Sequence, residues 1–175
     1  TMNENNETLT RGFTLMGLFT HNKGSGFFFG VICAVFFMAM IANGVMIFLI
    51  NIDPHLHTPM YFLLSHLSVI DTLYISTIVP KMLVDYLMGE GTISFIACTA
   101  QCFLYMGFMG AEFFLLGLMA YDRYVAICKP LHYTTIMRQG ICHLLVVIAW
   151  IGGILHATVQ ILFMTDLPFC GPQCH

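Results

Sequence analysis

The chain has 175 residues, of which 58% are hydrophobic and only 9% charged, with six Lys plus Arg against nine Asp plus Glu. A soluble domain carries roughly 25% charged residues because its surface faces water; here, with a mean hydropathy of +0.84, most of the surface must face lipid. A formal charge of −3 and the lack of any basic run give nucleic acid no footing.

A helix needs about 20 mostly apolar residues to cross a hydrocarbon core of roughly 30 Å, and the apolar stretches supply four such crossings. The fold class expected is therefore all-α, an integral membrane bundle. Residues 1–26 form a polar tail carrying the sequon Asn6-Glu7-Thr8, which becomes a glycosylation site only in the secretory lumen. A first helix is predicted over 27–50, free of charge and interrupted by Asn43 and Gly44. A loop at 51–58 leads to a second helix at 59–87, with Pro59 in the first turn, where proline is tolerated, and Pro80 bending its outer end. After a turn at 88–96, a third helix covers 97–125, followed by a polar loop at 126–139. A fourth helix covers 140–164, and residues 165–175 begin another loop. With the tail outside, the outer segments hold Arg11, Lys23 and Lys81, and the inner ones Arg123, Lys129 and Arg138. That tie leaves the positive-inside rule undecided.

Ionisable groups at bilayer depth cost several kcal/mol unless paired or hydrated, so each is a functional candidate. Asp71 lies roughly 18 Å into the second helix and Glu112 roughly 21 Å along the third from Cys98, at 1.5 Å per residue. In antiparallel neighbours the two carboxylates reach a similar level, where they repel unless a proton or cation lies between them. A shared pocket with Asn43 and Ser68, able to hold sodium or a proton, is expected. The alternative is two separately protonated carboxyls. Arg123 follows Glu112 by three helical turns, within about 20° of the same face, on a stripe that runs back through Met109 and Tyr105 to Cys98. Asp122 stands beside Arg123 and is expected to neutralise it at the inner surface. His156 and Gln160, one turn apart on the fourth helix, can meet either a ligand or a neighbouring helix. Trp150 reads as a packing residue. No histidine or cysteine spacing matches a metal site, and no GxSG, HExxH or paired catalytic Asp motif points to an enzyme.

The run Met119-Ala120-Tyr121-Asp122-Arg123-Tyr124-Val125-Ala126-Ile127-Cys128-Lys129-Pro130-Leu131-His132-Tyr133 closely resembles the signature of vertebrate olfactory receptors, a group of rhodopsin-like G-protein-coupled receptors. Leu56-His57-Thr58-Pro59-Met60-Tyr61-Phe62-Leu63, Leu67-Ser68-Val69-Ile70-Asp71, Pro80-Lys81-Met82-Leu83 and Leu167-Pro168-Phe169-Cys170-Gly171-Pro172 resemble the same family in its own order. The resemblance implies a plasma-membrane receptor with its N-terminus outside, detecting small volatile odorants and activating a stimulatory heterotrimeric G protein. It implies that Asp122, Arg123 and Tyr124 form the switch that meets the G protein. Asp71 and Glu112 would be the acidic pair of a cation pocket, and Tyr105, Met106, Met109 and Gly110 the third-helix wall of the odorant pocket. Methionine adapts to varied apolar shapes, although Met106 and Met109 could equally pack against neighbouring helices. The resemblance also ties Cys98 to the second outer loop; Cys170, Cys174 and a partner past His175 all stay open.

A family member has seven helices, whereas four are found here, so the expectation is a truncated form that by itself neither binds odorant well nor signals. Two readings compete with the receptor. A self-contained four-helix organiser would carry a large cysteine-bearing outer loop, and an ion or proton transporter would carry internal repeats and broken helices; neither feature is seen.

Overall fold

The computed structural model describes residues 13–14, 25–88, 92–93 and 95–166. The sequon at Asn6 and the loop cysteines Cys170 and Cys174 lie outside the described residues.

Four long helices dominate the chain: α1 (Ser25–Ile52), α2 (Pro59–Met88), α3 (Phe95–Cys128) and α4 (Gln139–Asp166). All four are long and apolar enough to cross a membrane. A helix is the natural form of such segments, because lipid offers no partner to a backbone N–H or C=O and the helix pairs them internally. Each begins or ends within about three residues of the span the sequence predicts, and the differences have local causes. The third helix extends past residue 125 because Ala126, Ile127 and Cys128 continue its apolar run. The Lys129 N–H still donates to the Val125 carbonyl at 2.9 Å, and Pro130, which has no N–H to give, ends the helix.

The connections that join α1 to α2 and α3 to α4 are structured. After α1, Asp53 accepts the His55 N–H at 2.9 Å and caps a 3-10 turn, Pro54–Leu56. Pro59 then opens α2. The loop expected at 126–139 contains a one-turn helix, Tyr133–Ile136. Val125, Met137 and Cys142 form a small buried cluster there, with Phe62, Tyr133 and Ile136 packed against it. At the outer end, two residues of the predicted tail, β1 (Phe13–Thr14), pair antiparallel with β2 (Thr92–Ile93), with Phe13 opposite Ile93. Two-residue strands leave no periodicity to read in a sequence.

Neighbouring helices run antiparallel. Phe29 stacks on Tyr86 at 5.1 Å and Ser76 donates to the Met40 sulfur at 3.7 Å, which joins α1 to α2. The core lies among α2, α3 and α4, where Leu63, Ile70, Ala111, Leu115, Val146 and Ala149 are buried together. Trp150 meets Phe108 edge-on at 6.4 Å, the packing role expected of it. The tightest approach is between α3 and α4. A methyl placed on Gly153 would stand 2.5 Å from the Gly107 carbonyl oxygen and 2.8 Å from the Ala111 nitrogen. Small residues at such crossings allow the close backbone packing that drives helix association in lipid.

Candidate functional site

The α3 helix carries the site, and each of its faces has a different neighbour. Towards α2 it presents Tyr105, whose ring lies 5.2 Å from that of Tyr74, tilted by 35°. The charge of Glu112 reaches Tyr74, and that of Asp71 reaches Glu112. Tyr74, Tyr105, Asp71 and Glu112 thus gather along one seam. Ser68, one turn before Asp71, is buried. Asn43 is half-buried on α1.

Among the described residues, no group of three or more His, Cys, Asp or Glu could hold a metal ion. A cation at this seam would therefore rest on two carboxylates and on neutral oxygens such as those of Ser68 and Asn43.

Towards α4, α3 turns Gly107 and Gly110. Gly110, which the family resemblance assigns to the wall of the ligand pocket, is buried and packs against the fourth helix. Its missing methyl would meet the Gly153 Cα at 3.2 Å and the His156 Nδ1 at 3.3 Å. Met106 and Met109 are half-buried on the same stretch.

Near the C-terminal end of α3, Asp122 and Arg123 part company. Asp122 is 1% exposed and accepts a hydrogen bond from the Tyr133 hydroxyl at 2.8 Å. Arg123 is exposed and its guanidinium contacts the Met60 sulfur on α2. The expected neutralisation of Arg123 by Asp122 is not what the geometry gives, because consecutive helical residues point about 100° apart. Tyr124 is also exposed. The residue that sequence reasoning missed is Tyr133, which lies beyond Pro130, outside any helical periodicity that could link it to Asp122.

Cys98 and Cys102 are free thiols. At the outer end of α2, Lys81 pairs with Asp85.

Four antiparallel apolar helices, half-buried acids on two of them and an Asp-Arg pair split between core and surface define a helical membrane protein. Residues 42–175 match the model of the 7 transmembrane receptor (rhodopsin family), and the chain belongs to that family. It is similar to human Olfactory receptor 2T6, 82% identical over 169 residues, which are 97% of this chain and 55% of the relative. Olfactory receptor 2T1 from the same organism is 57% identical over 170 residues, 97% of this chain and 46% of the relative. Olfactory receptor 2T27 is 53% identical over 172 residues, 98% and 54%. The chain spans about half the length of the curated relatives it matches. Membership of this family sets aside the organiser and transporter readings.

Burial and the bond to Asp122 push the Tyr133 hydroxyl up to about 12 from its ordinary 10.0. The protonated hydroxyl is the form that donates, so the stability it contributes is complete below pH 10 and is lost as pH rises through about 12. Tyr133→Phe should remove that loss and, by stripping a buried carboxylate of its donor, destabilise the fold by about 1–3 kcal/mol at neutral pH. Thermal unfolding of the detergent-solubilised chain across alkaline pH checks both.

Proposed function

We propose that this chain supplies the first four helices of an odorant receptor at the plasma membrane, with its N-terminus outside and its Arg123 end facing a stimulatory heterotrimeric G protein. The observation that carries the reading is the division of labour along α3. Its mid-membrane part gathers Tyr105 and Glu112 against α2. Its inner end buries Asp122 and leaves Arg123 and Tyr124 exposed, with Leu131 exposed in the turn that follows. A small apolar ligand suits the outer half, where Met106 and Met109 offer an adaptable surface. A protein partner suits the inner end, where a cation and large apolar side chains lie open together.

Asp71 and Glu112 have a second role in this reading. They share a sodium ion or a proton, with Ser68 and Asn43 completing the oxygen set, and the occupant balances two charges that would otherwise repel across the α2–α3 seam. A ligand that shifts α3 against α2 then changes the affinity of that pocket, and by linkage the ion changes the affinity for ligand.

In cells expressing a receptor of the relatives' full length that carries this chain, Arg123→Ala should abolish odorant-driven cyclic AMP while ligand binding persists. Normal signalling by that variant would remove Arg123 from the coupling surface. In the same receptor, Asp71→Asn and Glu112→Gln should each remove the sodium dependence of agonist affinity. Unchanged dependence in both variants would count against a shared cation.

A further inference from the structure

The hydroxyls along the middle of α2 divide by partner. Thr72 donates to the Ser68 carbonyl and Thr77 to that of Leu73, each at 2.8 Å, so both stay on their own helix. Ser76 turns to the Met40 sulfur of α1. Tyr74 turns to α3. Its ring lies 5.2 Å from that of Tyr105, and the two hydroxyls stand within hydrogen-bonding reach of one another.

Tyr74 has a second set of neighbours. Asp71 lies three residues before it, on the same side of α2. On α3, Glu112 lies seven residues beyond Tyr105, two turns along one face. The charge of Glu112 acts on Tyr74, and that of Asp71 acts on Glu112. Tyr74 therefore stands between two groups that the family resemblance places in different sites, Tyr105 in the ligand wall and the carboxylates in a cation pocket. All four side chains are half-buried, where little water competes for a hydroxyl and a charge acts at greater strength. A tyrosine hydroxyl has one hydrogen to donate and rotates to suit its acceptor. It donates more strongly to a carboxylate than to another hydroxyl. Which acceptor it serves thus depends on whether the carboxylate charge is offset.

We propose that Tyr74 is the positioning residue that couples the carboxylate pair to the ligand wall. With a cation between Asp71 and Glu112, the Tyr74 hydroxyl pairs with that of Tyr105. Without it, the hydrogen turns towards Glu112 and Tyr105 is released. The inference rests on the shared-cation reading above and adds the route by which pocket and wall sense each other. The two orientations of one hydroxyl exclude each other, so ion and ligand bias a single two-state element. The hydroxyl is not one of the cation's own oxygens, and removing it leaves the ion bound.

The test needs no odorant. A receptor of the relatives' full length that carries this chain is purified in detergent, and sodium chloride is compared with N-methyl-D-glucamine chloride at equal ionic strength. Occupancy of the pocket is read as a rise in melting temperature. The state of Tyr105 is read at Cys102, a half-buried thiol on the preceding turn, over which a helical side chain at 105 leans. Its alkylation by iodoacetamide is followed by peptide mass spectrometry. In the unaltered receptor, sodium should raise the melting temperature and slow Cys102 alkylation by up to about tenfold, the effect of one hydrogen bond. Tyr74→Phe, which keeps the ring, should keep the rise in melting temperature and lose the slowing. Tyr105→Phe should do the same, and the double variant no more than either. Should Tyr74→Phe fail to fold, Tyr105→Phe decides the matter by the same two readings. Full slowing in Tyr74→Phe, or a rise in melting temperature without slowing in the unaltered receptor, would overturn the coupling role and leave the shared cation standing. Loss of the rise in Tyr74→Phe would also overturn it, by making the hydroxyl a ligand of the ion. No rise in the unaltered receptor would bring down the cation reading and this inference with it.

Discussion

The close approach of α3 to α4 at Gly153 is the contact on which the rest of the molecule depends. Within a bilayer, burying apolar surface gives no gain over lipid, so helices associate by fitting closely. Gly153 lets the two backbones come within a distance that even a methyl would obstruct. Since helical side chains leave the axis at fixed angles, pinning Gly107 and Ala111 to α4 also fixes the rotation of α3. That rotation directs Tyr105 and Glu112 at α2, leaves Gly110 under His156 and turns Arg123 towards Met60. One packing contact thus sets the direction of every polar group along about 50 Å of helix.

The polar groups, in turn, follow two different rules. In the middle of the bundle, Asp71 on α2 and Glu112 on α3 lie near enough for the charge of one to act on the other, and like charges so placed repel unless one is offset. At the inner end Asp122 is buried more completely than either, yet it needs no counter-ion, because a neutral tyrosine hydroxyl donates to it directly. This bond also anchors the second inner loop. Tyr133 is held to α3, and Met137 and Cys142 close a small core beneath it. Arg123 consequently stands outside the core.

The four spans were legible because lipid imposes a single strong rule, length of uncharged apolar sequence, and each helix ends at a proline or a polar loop that breaks it. Antiparallel helices and a fixed rise likewise led to the expectation that Asp71 and Glu112 stand at one level. Helix rotation relative to partners was less accessible. Gly110 entered the expected ligand wall through the family resemblance alone, and only the position of Gly153 on another helix shows that it packs against α4. Asp122 looked like the partner of Arg123 because adjacency in sequence suggests pairing, although a helix sends adjacent side chains to different neighbours. The Tyr133 bond spans a proline-broken loop, and the Met60 contact joins residues 63 apart. Neither leaves a local pattern.

The account is tested most directly by asking whether the α3–α4 contact sets the rotation of α3. Tyr74→Cys with Tyr105→Cys, in a chain whose Cys98 and Cys102 are changed to Ser, places one thiol on each side of the α2–α3 seam. In lipid these two should be joined readily by a short bifunctional thiol reagent, and adding Gly153→Leu should abolish the cross-link while all four helices stay in the membrane. A cross-link that never forms, or one that survives Gly153→Leu undiminished, would contradict the account.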